Sequence, residues 1–155
     1  MKIAIGADHA GFELKEKLRN FLSGKGYDIV DVGAHEFEKG DDYPVYASEV
    51  GKKVSSGEVD RGILVCDSGI GVDVVANKFP GVRSALVHDE ELAKITRQHN
   101  DSNVLSLGAM FLDEEKAEKI ATNWLETDFS HAERHERRVH EIEDLEKEVG
   151  SSQGI

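Results

Sequence analysis

Cysteine is almost absent: Cys66 is the only one in 155 residues. An internal disulfide is thereby excluded, and the cytoplasm is the expected compartment. No uninterrupted apolar run approaches the ~20 residues that a membrane helix needs, so no membrane span is expected. Positive charge is scarce as well. Nineteen Lys and Arg face 31 Asp and Glu, for a net charge of -12. Such a surface repels nucleic-acid backbones and anionic membranes, so neither is an expected partner. The chain has no Gly-x-Gly-x-x-Gly and no Walker lysine, which speaks against dinucleotide and P-loop binding. It opens directly on a strand-like Lys2–Gly6, and no signal peptide is expected ahead of it.

What is present is a regular alternation. Lys2–Gly6 reads as a strand, and Leu14, Leu18, Phe21 and Leu22 follow at helical spacing until Gly24 and Gly26. Tyr27–Val32 is a second strand. A polar loop over Ala34–Asp42 leads into Tyr43-Pro44 and a helix over Val45–Ser55. A third strand ends at Cys66. Arg83–Val87 and Asn103–Leu107 are further strands, with a helix at Glu90–Gln98 between them. Asp113 caps a helix that turns Ala117, Ile120, Ala121, Trp124 and Leu125 inward. Ser130 and Glu133 have capping-box spacing for a last helix, with Val139, Ile142 and Leu145 as its narrow apolar stripe. The pattern predicts a single α/β domain over residues 1–149, with a frayed tail at 150–155. Its fold class is a doubly wound, Rossmann-like five-stranded parallel sheet with helices on both faces. Ligands of such sheets bind beyond the carboxyl ends of the strands.

The richest segment is Arg61–Lys78, Arg-Gly-Ile-Leu-Val-Cys-Asp-Ser-Gly-Ile-Gly-Val-Asp-Val-Val-Ala-Asn-Lys. Ile63, Leu64 and Val65 form a strand that stops at Cys66, and Ser68, Gly69 and Gly71 make a tight turn into a helix. Backbone N–H groups at such a place favour negative charge and suit an activated thiolate. A buried free cysteine is also an ordinary small core residue. Asp8 and His9 follow the first strand, where Asp8 either caps the next helix or meets a ligand. His99-Asn100 closes a helix after Arg97, a place that stabilises a charged imidazole and also suits acid–base work. Arg134 and Arg138 share one helix face four residues apart, as a phosphate grip requires, while Arg137 points elsewhere. The interleaved Glu133, Glu136, Glu141 and Glu143 equally allow a plain solvated helix. His131, His135 and His140 lack metal-ligand spacing, so no metal is expected. The last helix covers its own domain poorly, and a partner chain is one way to complete it.

Several of these segments together resemble the type B ribose-5-phosphate isomerases, a family that includes galactose-6-phosphate and allose-6-phosphate isomerases. They are Ile5-Gly6-Ala7-Asp8-His9-Ala10-Gly11, Asp42-Tyr43-Pro44, the Cys66 loop closing on Ala76-Asn77-Lys78, Arg97-Gln98-His99-Asn100-Asp101, and Arg134-His135-Glu136-Arg137-Arg138. The resemblance runs from Lys2 to about Glu146. It implies aldose–ketose isomerisation of a sugar phosphate through a cis-enediolate, without metal or cofactor, in a cytoplasmic homodimer or tetramer with active sites at the subunit interface. By the same resemblance Cys66 is the base, and Asp67, Ser68, Gly69, Ile70 and Gly71 present backbone N–H groups to the enediolate. Ser68 and His99 assist ring opening, and Asp8, Tyr43 and Asn100 contact sugar hydroxyls. His9, Arg134 and Arg138 grip the phosphate. His99, Asn100, Arg134 and Arg138 come from the partner subunit. Two positions depart from the family pattern. Asp67 stands where glycine is usual, and Ala109-Met110 stands where an arginine is usual. Both touch the substrate end of the site and leave the scaffold alone. They keep two alternatives open: another aldose phosphate, tetrose or hexose, as the substrate, and a non-catalytic phosphosugar-binding protein.

Overall fold

A computed structural model describes residues 1–152. Five strands, β1 (Lys2–Ala7), β2 (Asp28–Asp31), β3 (Arg61–Cys66), β4 (Ser84–Leu86) and β5 (Val104–Gly108), alternate with helices. The helices are α1 (Phe12–Gly24), α2 (Tyr43–Ser55), α3 (Ile70–Ala76), α4 (Glu90–Asn100), α5 (Glu114–Glu126) and α6 (Glu133–Ser152), and a 3₁₀ turn covers Ala109–Phe111. All strand pairs are parallel, in the order β2-β1-β3-β5-β4. This is the doubly wound α/β sheet expected from the alternation.

Each strand sorts its side chains by the two-residue period of a pleated sheet. Ile3, Ile5, Ile63, Val65, Leu105 and Leu107 face one layer, where α1, α4 and α5 contribute Leu18, Ala93 and Trp124. Ala4, Leu64, Cys66 and Val104 face the other layer, against Ala47 and Val50 of α2 and Val72 and Ala76 of α3. Trp124, the only tryptophan, is fully buried. Its Nε1 donates to Ser102 Oγ at 2.9 Å, and the Arg61 guanidinium lies over its ring at 5.2 Å.

Boundaries differ from the sequence reading in instructive ways. Pro44 sits in the first turn of its helix, so α2 begins at Tyr43. A proline there has no N–H that the helix needs. Asp8 accepts the Gly11 N–H at 3.1 Å, but the helix starts only at Phe12, so the carboxylate closes the approach turn. The capping box expected at Ser130 and Glu133 does not form. His131 takes a left-handed φ of 53°, and α6 starts at Glu133 itself. Ser130 Oγ instead receives the Ala132 N–H at 3.2 Å and pairs with His135 Nδ1 at 2.7 Å. α6 continues through Gly150, Ser151 and Ser152, three of the residues expected to fray. Residues 153–155 lie outside the described residues. Of the expected apolar stripe, Val139 is buried against the domain, whereas Ile142 and Leu145 are exposed.

Candidate active site

The carboxyl ends of β1, β3 and β5 converge on one rim. The loop after β3 carries Cys66 at the strand end, paired in register with Gly108 of β5. Cys66 is buried, and the Gly69 N–H donates to its Sγ at 3.2 Å. Gly69 therefore serves the sulfur, not an incoming oxygen. A sulfur that receives an N–H is suited to carry negative charge. Ser68 Oγ accepts the Ile70 N–H at 3.3 Å. Gly71 lies in the first turn of α3, whose N–H groups have no acceptor inside the helix.

Close backbone approach explains two glycines here. Gly69 has a φ of +79°, and a Cβ on it would meet the backbone N of Gly108 at 2.9 Å. A Cβ on Gly71 would meet the Tyr43 ring at 2.5 Å. The glycine thus lets Tyr43 lie across the loop, half exposed at its edge. The side chains of Asp67 and Ile70 are exposed. The Asp67 carbonyl accepts the Met110 N–H at 3.0 Å, which ties the β5 turn to the cysteine loop.

Asp8 and His9 stand beside this loop. Asp8 is 94% buried by its relative exposure of 6%, and burial raises its carboxyl above the ordinary range despite the Gly11 N–H and the neighbouring His9. His9 is locked to a residue that the sequence reading missed. Asp41 Oδ1 accepts the His9 backbone N–H at 2.8 Å and meets His9 Nδ1 at 2.7 Å, and Tyr46 donates its hydroxyl to Asp41 Oδ2 at 2.9 Å. The hydrogen bond from Asp41 raises His9 above the usual imidazole range. Burial pushes Asp41 upward, but the N–H and ring of His9 and the Tyr46 hydroxyl outweigh it and hold the carboxyl low. Asp41 thus favours the charged form of His9. Among the described residues, Asp8, His9 and Asp41 are the one set of acidic and imidazole groups close enough to share a metal, within 4.8 Å of one another. The His9–Asp41 hydrogen bonds and the bond from the Gly11 N–H to Asp8 already account for the arrangement.

The remaining expected residues lie elsewhere. His99 and Asn100 end α4, immediately before β5 begins. Arg83, which precedes β4, donates to the carbonyls of Asn100 and Asp101 at 3.1 Å. In a parallel sheet this is the amino rim. β5 alone separates it from the Cys66 rim by about 13 Å, four residues at ~3.3 Å each. Arg134 and Arg138 project from α6, which packs on α4. Both are exposed, and among the described residues neither has an ion-pair partner. Arg137 is bound to Glu133 at 2.6 Å. One chain therefore brings together Asp8, His9, Tyr43 and Cys66–Gly71, and separately His99, Asn100, Arg134 and Arg138. It does not bring the two groups to each other.

A parallel sheet with a thiol, a glycine turn and a caged imidazole at its carboxyl rim defines a small-molecule α/β enzyme. The sequence profile of the ribose/galactose isomerase family matches residues 3–142. The chain belongs to this family. It is 41% identical over 146 residues to ribose-5-phosphate isomerase B of Escherichia coli, covering 94% of this chain and 97% of that one. Among solved structures, ribose-5-phosphate isomerase B of Clostridium thermocellum superposes with a TM-score of 0.92 at 40% identity, covering 96% and 99% of the two chains. The Mycoplasma genitalium enzyme with bound ribulose-5-phosphate gives 0.91 at 40% identity, covering 95% and 97%. Among the described residues no helix is long and apolar enough to cross a membrane.

Proposed function

We propose that this chain is an aldose–ketose isomerase of sugar phosphates, with ribose 5-phosphate to ribulose 5-phosphate as its default reaction. Residues 1–149 act as one domain, in a homodimer whose sites are shared. Cys66 takes the C2 proton of the open-chain aldose as a thiolate, and the electron pair runs through C1=C2 onto the carbonyl oxygen. Within the Asp67–Gly71 turn, the N–H groups not already given to Cys66 and Ser68, that of Gly71 among them, hold that oxygen. Return of the proton to C1, with the O2 proton passing to O1 as C2=O2 forms, gives the ketose with no net change of oxidation state. Ser68 and the partner's His99 assist opening of the furanose ring. Asp8, Tyr43 and the partner's Asn100 hold hydroxyls, and His9 with the partner's Arg134 and the partner's Arg138 holds the phosphate. A free thiolate base requires a reducing compartment, so this reading carries a cytoplasmic location with it.

The observation that carries the proposal is Cys66 Sγ under the Gly69 N–H at the end of β3, beside a His9 whose charged form Asp41 favours. Binding alone needs no base, which argues against a non-catalytic phosphosugar binder. One feature favours keeping a second substrate in view. A groove of about 430 Å³ opens beside Asp67, lined also by Glu13, Lys17, Met110 and Asp113. Lys17 is held by Glu13 at 3.2 Å and Glu114 at 3.3 Å, so the groove offers carboxylates to hydroxyls rather than cations to phosphate. Another aldose phosphate fits such a wall. Assaying four-, five- and six-carbon aldose phosphates for ketose formation tests both readings. Ketose from none of them removes the proposal, and preference for a four- or six-carbon substrate selects the second.

A further inference from the structure

We propose that His135 is a positioning residue for His99, fixing the imidazole that opens the sugar ring. The inference rests on the role given to His99 above and adds a residue to it. His135 lies in the first turn of α6, next to an exposed Arg134 and a half-buried Glu136 in a highly charged helix, yet it is only 4% exposed. Its ring stacks on that of His99, with centroids 4.3 Å apart and planes 30° apart. His99 itself is exposed on the last turn of α4. An exposed imidazole at a helix end has several rotamers, and a buried ring against its face selects among them.

The buried ring is itself fixed. Its Nδ1 lies 2.7 Å from Ser130 Oγ, and that oxygen already accepts the Ala132 N–H. We assign the hydroxyl proton to Nδ1, which leaves His135 neutral with its proton on Nε2. Ser130 N–H donates to the Gln98 carbonyl at 3.2 Å, so the loop that holds His135 is stitched to the turn that carries His99. Burial and the facing His99, Arg134 and Arg138 all lower the affinity of His135 for a second proton. A neutral plate beneath His99 orients that ring without repelling its cationic form. It also makes one rigid unit of the ring-opening imidazole and the two free arginines, because Arg134 and Arg138 flank His135 on α6.

Ring opening breaks C1–O4 and forms C1=O1. A proton leaves O1 and one arrives at O4, so the step is redox-neutral. Ribulose 5-phosphate has its O5 esterified, cannot close a five-membered ring on C2, and enters the site already open. This difference separates positioning from packing. In the wild type, rates in both directions rise linearly with enzyme. For His135→Phe, which keeps a ring but loses the bond to Ser130, kcat from ribose 5-phosphate falls roughly 10- to 100-fold, the scale of a misplaced catalytic group. KM falls with it, because the closed sugar still binds unproductively, and the forward rate plateaus with enzyme at the rate of spontaneous ring opening. The kcat from ribulose 5-phosphate stays within about twofold and shows no plateau. Adding His135→Phe to His99→Ala changes nothing further, since the one acts through the other. Ser130→Ala, an exposed substitution, gives the same asymmetry in smaller measure and stands in if His135→Phe does not fold by thermal melt. Equal losses in both directions, or multiplied losses in the double variant, overturn the proposal in favour of mere packing. A wild type that interconverts neither pentose phosphate removes the assigned reaction, and the inference with it.

Discussion

The two rims of the sheet are built on different principles. The carboxyl rim is made of backbone: Gly69, Gly71 and Gly108 let three loops touch, and the sulfur, Asp8 and His9 each have a partner within the same chain. The amino rim is made of side chains standing on helices, with His99, Asn100, Arg134 and Arg138 exposed and the two arginines unpaired among the described residues. Within one α6, Arg137 satisfies itself on Glu133 while its neighbours at 134 and 138 do not. In a chain of net charge -12, two cations left unpaired stand ready for an anion. The first rim is closed on itself, and the second presents free side chains that the proposed shared site would use.

The deepest test of the contrast removes the base. Cys66→Ala should lower isomerisation about 10²–10⁴-fold, the usual cost of losing a positioned proton carrier, while phosphosugar binding by calorimetry persists. Turnover above about half of wild type, with the same substrate, removes Cys66 from the chemistry. Joining the rims across subunits is tested by mixing. Cys66→Ala and His99→Ala protomers, each nearly inactive alone, should regain roughly a quarter of wild-type activity when reassorted in equal amounts, because half of the dimers then carry one intact site of two. Verified heterodimers with no recovery would mean that both rims serve a site within one chain.

The unpaired arginines come next. Arg138→Ala should raise KM by about one to two decades, the worth of one or two charge-assisted hydrogen bonds, and Arg137→Ala should barely change it. The reverse ranking would show that the Glu133 pair breaks on binding. The smallest effect concerns His9. Its folded value lies above the ordinary 6.5. The ion pair's contribution to stability is therefore fully present below that ordinary value and is lost as pH rises through the raised one. Asp41 adds stability above its own unfolded value, lost as pH falls through its lowered one. Asp41→Asn should return His9 toward its ordinary value, so the rise of KM on the alkaline side should begin at lower pH than in wild type. An unchanged profile would detach His9 from phosphate binding.

How much of this was legible depends on which part of the chain wrote it. The strand-turn-helix at Arg61–Lys78 was readable because a short continuous apolar run stops at a glycine-punctuated turn and valines and an alanine follow it. Asp41 was not. It sits in a polar loop with no period, and only its fold-back onto His9, 32 residues away, gives it a task. The start of α6 was misplaced because Ser130 offered an N-cap hydroxyl to the sequence, while in the fold that hydroxyl serves Ala132 and His135. His135 looked like one more histidine on a charged helix. Its burial depends on where α6 crosses α4, which no local pattern states. The separation of the two rims followed from chain direction alone once the sheet was known to be parallel.

Trp124 turns the architecture into an optical instrument. Its indole is sealed under Arg61 and hydrogen-bonded to Ser102, two residues beyond the end of α4. Because it is the sole tryptophan, the tryptophan emission of each chain has one origin, next to the segment that carries His99. Unfolding should move that emission to longer wavelength as the indole meets water. In a native sample, intensity changes on adding a sugar phosphate would report how far the amino rim yields on binding.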